Sequence, residues 1–237
     1  MEQQSKLKVK STGTTIISCP FDKGVIVATD TRATDTRAFT PFYTPRKTDS
    51  YMSVENEVQF HVSGAGFSNV TSLIASSFFQ MMVQFNQSYN IKMSAMDSPL
   101  IFMDYFNELC SRHFLKRLSP LELEVLFNSV MILTVKTPKF IFSFETTFDG
   151  GSCFFQGRNG QTFTSLGAIG SGSRYILGNA LVQDSLRPFE KKSLEEVRQW
   201  IIDHFKQSTK RDIGSSTSKG LHLTIVHKER SPAYQSL

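Results

Sequence analysis

Apolar and β-branched residues near the start of the chain come in two short runs, Thr14–Cys19 and Gly24–Thr29, separated by Pro20-Phe21-Asp22-Lys23. Runs of that length around turn-forming residues predict a β-hairpin. Glu57–Ser63 alternates in part and stops at Gly64-Ala65-Gly66, predicting another strand. The period then lengthens. Val70, Leu73, Ile74, Phe78, Met81, Met82 and Phe85 fall at helical spacing, predicting a helix from about Asn69 to Ser88. Pro99 suits a first helical turn and opens a second predicted helix running to about Leu118. Its apolar positions include Ile101, Phe102, Tyr105, Phe106, Leu109 and Phe114.

Strand patterning returns at Ser129–Val135 and at Phe140, Phe142 and Phe144, and Asp149-Gly150-Gly151 predicts a turn into Ser152–Gln156. A third helix is expected beyond Gly170-Ser171-Gly172-Ser173, carrying Tyr175, Ile176, Ala180 and Leu181. Ser193 and Glu196 form a capping-box pattern ahead of Val197, Trp200, Ile201 and Phe205, marking a fourth. Leu221–Val226 is a closing strand, followed by a polar tail. Strands, two helices, strands, two helices and a strand predict antiparallel sheets with helices packed outside them, an α+β layered domain. No internal repeat or linker-like segment divides the chain.

Composition narrows the function classes. At 237 residues with 40% hydrophobic and 20% charged residues, the chain suits one large domain. The 21 phenylalanines against one tryptophan fit thick apolar layers, extensive subunit contacts or, equally, simple compositional drift. No apolar run approaches the roughly 18–20 residues that cross a bilayer, and polar Met1–Lys10 lacks the apolar core of a secretory signal. No membrane partner is expected. Cys19, Cys110 and Cys153 are an odd number without metal-type spacing, and reduced buried thiols are expected. The net charge of +5 arises from short scattered clusters such as Arg46-Lys47 and Lys210-Arg211, not interleaved with aromatics, so no nucleic-acid partner is expected. His61, His113, His204, His222 and His227 show no ligand spacing, and no metal or cofactor is implied.

Candidate chemistry begins at Gly13-Thr14-Thr15, where the first strand opens, and continues at Ala28-Thr29-Asp30-Thr31-Arg32-Ala33-Thr34, where the second ends. A hairpin turning near Phe21–Asp22 places Asp30 beside Gly13 and Thr14; alone, Asp30 reads better as a solvated strand end tied to Arg32. Ser63-Gly64-Ala65-Gly66 precedes a helix, where free backbone N–H groups can bind an oxyanion. Gly170-Ser171-Gly172-Ser173 and Lys210-Arg211-Asp212-Ile213-Gly214-Ser215 are polar turns beside later helices.

Together with Leu186-Arg187-Pro188, these stretches resemble the β subunits of the proteasome core particle over about Gly13 to Lys228, nearest to the trypsin-like type. The resemblance implies the four-layer αββα fold of N-terminal-nucleophile hydrolases. It divides the chain into a leader (1–13), a hydrolase domain (14–228) and a polar tail (229–237). It implies a cytoplasmic and nuclear threonine endopeptidase acting on unfolded polypeptides, in a heptameric ring with other β subunits, stacked on an α-subunit ring and an opposite β ring. Thr14 matches the nucleophile, exposed when the leader is cut off at Gly13. Asp30 and Lys47 match the carboxylate and lysine beside it, with Arg46 the alternative occupant because Asp35–Gln59 is longer than the family pattern. Ser171, Asp212 and Ser215 match the surrounding polar group, and Gly66 the oxyanion donor.

Thr34, Gly64 and Ser68 match substrate-binding positions. Gly64 leaves the pocket mouth open, while Val70, Thr71 and Ser72 supply none of the carboxylate that basic side chains require. Phe67-Ser68-Asn69-Val70 and Ser216 depart from the family pattern. Two other readings stand beside this one: a non-catalytic β subunit that keeps its leader, and an N-terminal-nucleophile hydrolase outside the proteasome.

Overall fold

The computed structural model describes residues 14–35, 40–43, 47–53, 57–65, 68–149, 152–156, 158–159, 162–163, 165–211, 220–229 and 233–236. The chain opens with a hairpin of β1 (Thr15–Phe21) and β2 (Gly24–Asp30). Next come β3 (Arg32–Asp35), β4 (Thr40–Tyr43), β5 (Thr48–Ser53) and β6 (Val58–Ala65). Helices α1 (Ser68–Ser88), α2 (Pro99–Leu109) and α3 (Pro120–Phe127) follow. Strands resume with β7 (Val130–Lys136), β8 (Ile141–Asp149), β9 (Ser152–Gln156), the short pair β10 (Arg158–Asn159) and β11 (Thr162–Phe163), and β12 (Gly167–Gly170). Helices α4 (Ser173–Leu186) and α5 (Leu194–Arg211) then lead to β13 (Leu221–His227) and β14 (Ala233–Ser236).

Two five-stranded antiparallel sheets result, ordered β12-β1-β2-β13-β14 and β5-β6-β7-β8-β9. Strand alternation gives each sheet one face toward helices and one toward the other sheet. On β1, Ile17, Cys19 and Phe21 pack with Ile176, Ala180, Val197, Ile201 and Phe205 of α4 and α5. On the second sheet, Val58, Phe60, Leu133, Phe142 and Phe144 pack with Phe78, Met82, Phe102 and Phe106 of α1 and α2. Between the sheets the apolar contact is small, built on Ile16, Val25, Val27, Ala65, Ile132 and Ile169. The layers run helix, sheet, sheet, helix, which is the expected αββα sandwich.

Local chemistry explains the helix starts. Ser98 accepts from the Ile101 N–H, with Pro99 at the first helical position of α2. Ser193 and Glu196 cap reciprocally, each bonding the other's backbone N–H. Ser119 and Glu122 form the same capping box for α3, a helix the apolar periodicity does not predict. The second predicted helix is α-helical only to Leu109. It widens to a π-turn over Cys110–Phe114 and tightens to a 3-10 turn over Leu115–Arg117, bringing Cys110, Phe114 and Leu115 all inward.

The strands β3, β4, β5 and β12 are too short or too polar for the alternation test, and β14 forms within the expected polar tail. Cys19 and Cys110 are buried free thiols, and burial pushes the Cys19 thiol far above its ordinary range. Among the described residues no helix is long and apolar enough to cross a membrane.

The phenylalanines concentrate in the layer between α1, α2 and the second sheet. Phe102 is wholly buried, with ring contacts to Phe60, Phe106, Phe140 and Phe144. Phe102→Ala is expected to destabilise the fold by about 3–5 kcal/mol, read as a lower urea midpoint at unchanged slope.

Candidate active site

The β1–β2 register sets the site. Phe21 pairs with Gly24 and Ile16 with Thr29, so Asp30 stands against Thr15. The sequence expectation put Asp30 beside Gly13 and Thr14; the paired position is Thr15, because the turn is Asp22-Lys23, one residue later than expected. The Thr15 N–H donates to Asp30 Oδ1 at 3.0 Å. The same oxygen accepts from Lys47 Nζ at 2.7 Å, and Nζ also donates to Thr14 Oγ1 at 3.2 Å. The Lys47 and Asp30 side chains are 5% and 0% exposed, and Thr14 is 5% exposed.

Lys47 reaches this point because it directly precedes β5, whose Thr48 sits opposite Ser63 of β6 with their hydroxyls 2.7 Å apart. Burial pulls the Lys47 ammonium below its ordinary pKa, while the Asp30 charge and hydrogen bond work against that fall. The pair thus keeps a cation within hydrogen-bond reach of a hydroxyl in a nearly dry place.

β12 closes the other side of β1, with Gly170 opposite Thr15. Gly170 has φ +90°, and a Cβ built on it would lie 2.0 Å from the Thr14 carbonyl oxygen. Only glycine lets the backbones meet this closely. Sequence reading placed Gly170 in a small-residue turn and missed this constraint; its signal was a glycine at the end of a short apolar run, Gly167-Ala168-Ile169-Gly170.

Ser171 is half-buried in the turn after β12, and Ser208 of α5 donates to the neighbouring Gly172 carbonyl at 3.2 Å. Gly64 is half-buried near the end of β6, opposite Met131. Thr34 lies in β3 opposite Pro41, and Ser68 begins α1. Gly13, Arg46, Gly66, Asp212 and Ser215 lie outside the described residues, as do the side chains of Val70, Thr71 and Ser72. Among the described residues there is no group of three or more His, Cys, Asp or Glu placed to hold a metal ion.

No family model matches the chain. No curated protein matches it significantly either. Solved structures do. An Anbu mutant from Hyphomicrobium sp. strain MC1 superposes with a TM-score of 0.65 at 15% identity, covering 94% of this chain and 88% of that one. Anbu from Yersinia bercovieri, described as an ancestral beta-subunit, superposes with a TM-score of 0.62 at 16% identity, covering 94% and 87%. The sequence motifs resemble core-particle β subunits of the proteasome, but these structures belong to Anbu, a related and different N-terminal-nucleophile family, and that assignment is corrected accordingly. At this level of identity the likeness establishes the fold.

The two glycines of β12 make a matched test. Nothing lies within 4 Å of a Cβ built on Gly167. Gly167→Ala is expected to leave stability within about 0.5 kcal/mol. Gly170→Ala is expected to lower it by about 1–3 kcal/mol and to displace Thr14, read by urea denaturation and by loss of any Thr14-dependent turnover.

Proposed function

We propose that the chain is a threonine-type hydrolase of the N-terminal-nucleophile kind that cuts peptide bonds, with Thr14 as nucleophile. The observation that carries this reading is the buried Lys47 ammonium, 3.2 Å from Thr14 Oγ1 and 2.7 Å from Asp30 Oδ1. Residues 1–13 act as a leader, and their removal at the Gly13–Thr14 bond frees the Thr14 α-amino group. That amine titrates at about pH 7.7–8.0 when unperturbed, so it can take a proton at neutral pH. An internal Thr14 has an amide nitrogen there and lacks the base, which makes leader removal the activating step.

The reaction then runs within this chain's own groups. The free amine takes the Oγ1 proton as Oγ1 attacks the substrate carbonyl carbon, and the carbonyl electron pair moves onto oxygen. Backbone N–H groups before α1, with Gly66 the assigned donor, stabilise that oxyanion, a contribution of about 3–4 kcal/mol in comparable sites. Collapse breaks the C–N bond, the amine-held proton passes to the leaving nitrogen, and an ester to Thr14 remains. Water, deprotonated by the same amine, hydrolyses the ester. Lys47 favours ionisation of Thr14 Oγ1 through its charge, and Asp30 holds Lys47 in place. Gly64 leaves room for large side chains at the substrate pocket. A similar structure's description as a beta-subunit supports action within an oligomer.

Thr14→Ala and Lys47→Ala are each expected to reduce hydrolysis of short fluorogenic peptides at least a hundredfold, with Arg46→Ala within about twofold of the parent. Turnover surviving Thr14→Ala sinks the reading; loss with Arg46→Ala and not Lys47→Ala exchanges those two roles.

Activity is also expected to fall on the alkaline side at a pH below the ordinary lysine value of 10.5, as the buried ammonium loses its proton. Because Asp30 raises the Lys47 pKa against burial, Asp30→Asn moves that limb to still lower pH. A pH profile of turnover for the two proteins reads both effects.

A further inference from the structure

From the contacts that join the open edges of the two sheets, we infer that Tyr234 is a positioning residue for the Lys47 ammonium, acting through Ser50. The inference rests on the catalytic reading of Thr14 and Lys47 above. Among the described residues β5 is the edge strand of its sheet, laddered on one side to β6. Lys47 directly precedes it, so the ammonium's position follows the position of β5. Two side-chain pairs stiffen the ladder: Thr48 with Ser63, and Ser50 Oγ with His61 Nδ1 at 2.9 Å.

Ser50 then receives a contact from the other sheet. The Tyr234 hydroxyl donates to Ser50 Oγ at 2.8 Å, and the Tyr234 ring lies 6.5 Å from that of His61. Tyr234 stands on β14, the opposite sheet's edge strand, paired with Thr224 of β13. A serine hydroxyl has one proton to give and can accept others. Ser50 Oγ accepts from Tyr234 and is also hydrogen-bonded to His61 Nδ1, which links β14 through β5 to β6. His61 is buried, so this link ends on a fixed ring.

The leverage is short. Ser50 is three residues from Lys47, about 10 Å along an extended strand. The Lys47–Thr14 contact of 3.2 Å leaves little slack before the hydrogen bond is lost. In enzymes generally, a misplacement of about 1 Å can lower a rate by about a hundredfold. An edge strand free to shift by a fraction of that would change Thr14 activation without changing the fold.

The test uses Tyr234→Phe in the full chain, which removes one hydroxyl and keeps the ring and the β13–β14 pairing. Brief acetic anhydride treatment, with mass spectrometry of the Lys47 peptide, reads access to the ammonium without requiring activity. Lys139, which is 44% exposed, is the internal reference. Lys47 acetylation is expected to rise about threefold or more relative to Lys139, while kcat falls about three- to tenfold and KM stays within about twofold. Ser50→Ala is expected to match Tyr234→Phe, the double variant to be no worse than either, and Ser50→Thr to retain parent behaviour. Unchanged Lys47 acetylation in both Tyr234→Phe and Ser50→Ala overturns the inference. Turnover that survives Thr14→Ala, with the acetylation change still present, would instead overturn the threonine reading and leave the contact's effect on Lys47 standing.

Discussion

The Lys47 ammonium and the Asp30 carboxylate lie 2.7 Å apart with almost no side-chain surface exposed on either, and an ion pair in that setting depends on its whole frame. Each charge loses several kcal/mol of hydration on burial, and removing one partner from such a pair commonly costs about 3–5 kcal/mol. The frame is correspondingly complete. Asp30 also accepts the Thr15 N–H, β2 is flanked by β1 and β13, and β5 is pinned to β6 beside the lysine. The arrangement is poor economy as a source of stability and good chemistry as a fixed positive charge beside a hydroxyl.

Where the sheets face each other, small hydroxyls take part: Ser165, just before β12, accepts the Ser143 N–H of β8 on its Oγ at 3.0 Å and the Ser18 hydroxyl on its carbonyl at 2.8 Å, while Thr134 and Ser143, 2.6 Å apart, pair within the second sheet. The large apolar side chains are on the outer faces, against the helices. Strand alternation thereby separates the large apolar contacts from the small hydroxyls. Successive residues such as Val62 and Ser63 serve the phenylalanine-rich core and the polar layer in turn.

Much of the layering could be read from the chain because it depends on local signals. Helical spacing marked α1, the Ser193–Glu196 box marked α5, and the Asp149-Gly150-Gly151 turn marked the β8–β9 hairpin. What escaped depends on distant partners. β12 is four residues long and is defined by pairing with β1, about 150 residues earlier. β5 carries Asp49, Ser50 and Ser53 among its six residues, so its polarity hides a strand. The capping box of α3 was there to be read in Ser119-Pro120-Leu121-Glu122, but the helix is short and weakly amphipathic. Asp30 and Lys47 came from resemblance to known motifs; the placing of Asp30 against Thr15 follows the hairpin turn, and its meeting with Lys47 depends on where β5 lies against β6.

The close approach of Gly170 to Thr14 bears on the order of synthesis. β1 and β2 emerge first and can pair at once, yet their outer neighbours are β12 and β13, which follow only after well over a hundred further residues. Contacts separated so widely form late, because a long loop must close before they repay its lost entropy. A nascent chain therefore carries Thr14, Asp30 and Lys47 for most of its translation without the strands that seal them in. The hydroxyl has no dry enclosure until the second half of the protein has been made, which keeps the reactive centre unfinished while the polypeptide is still being extended.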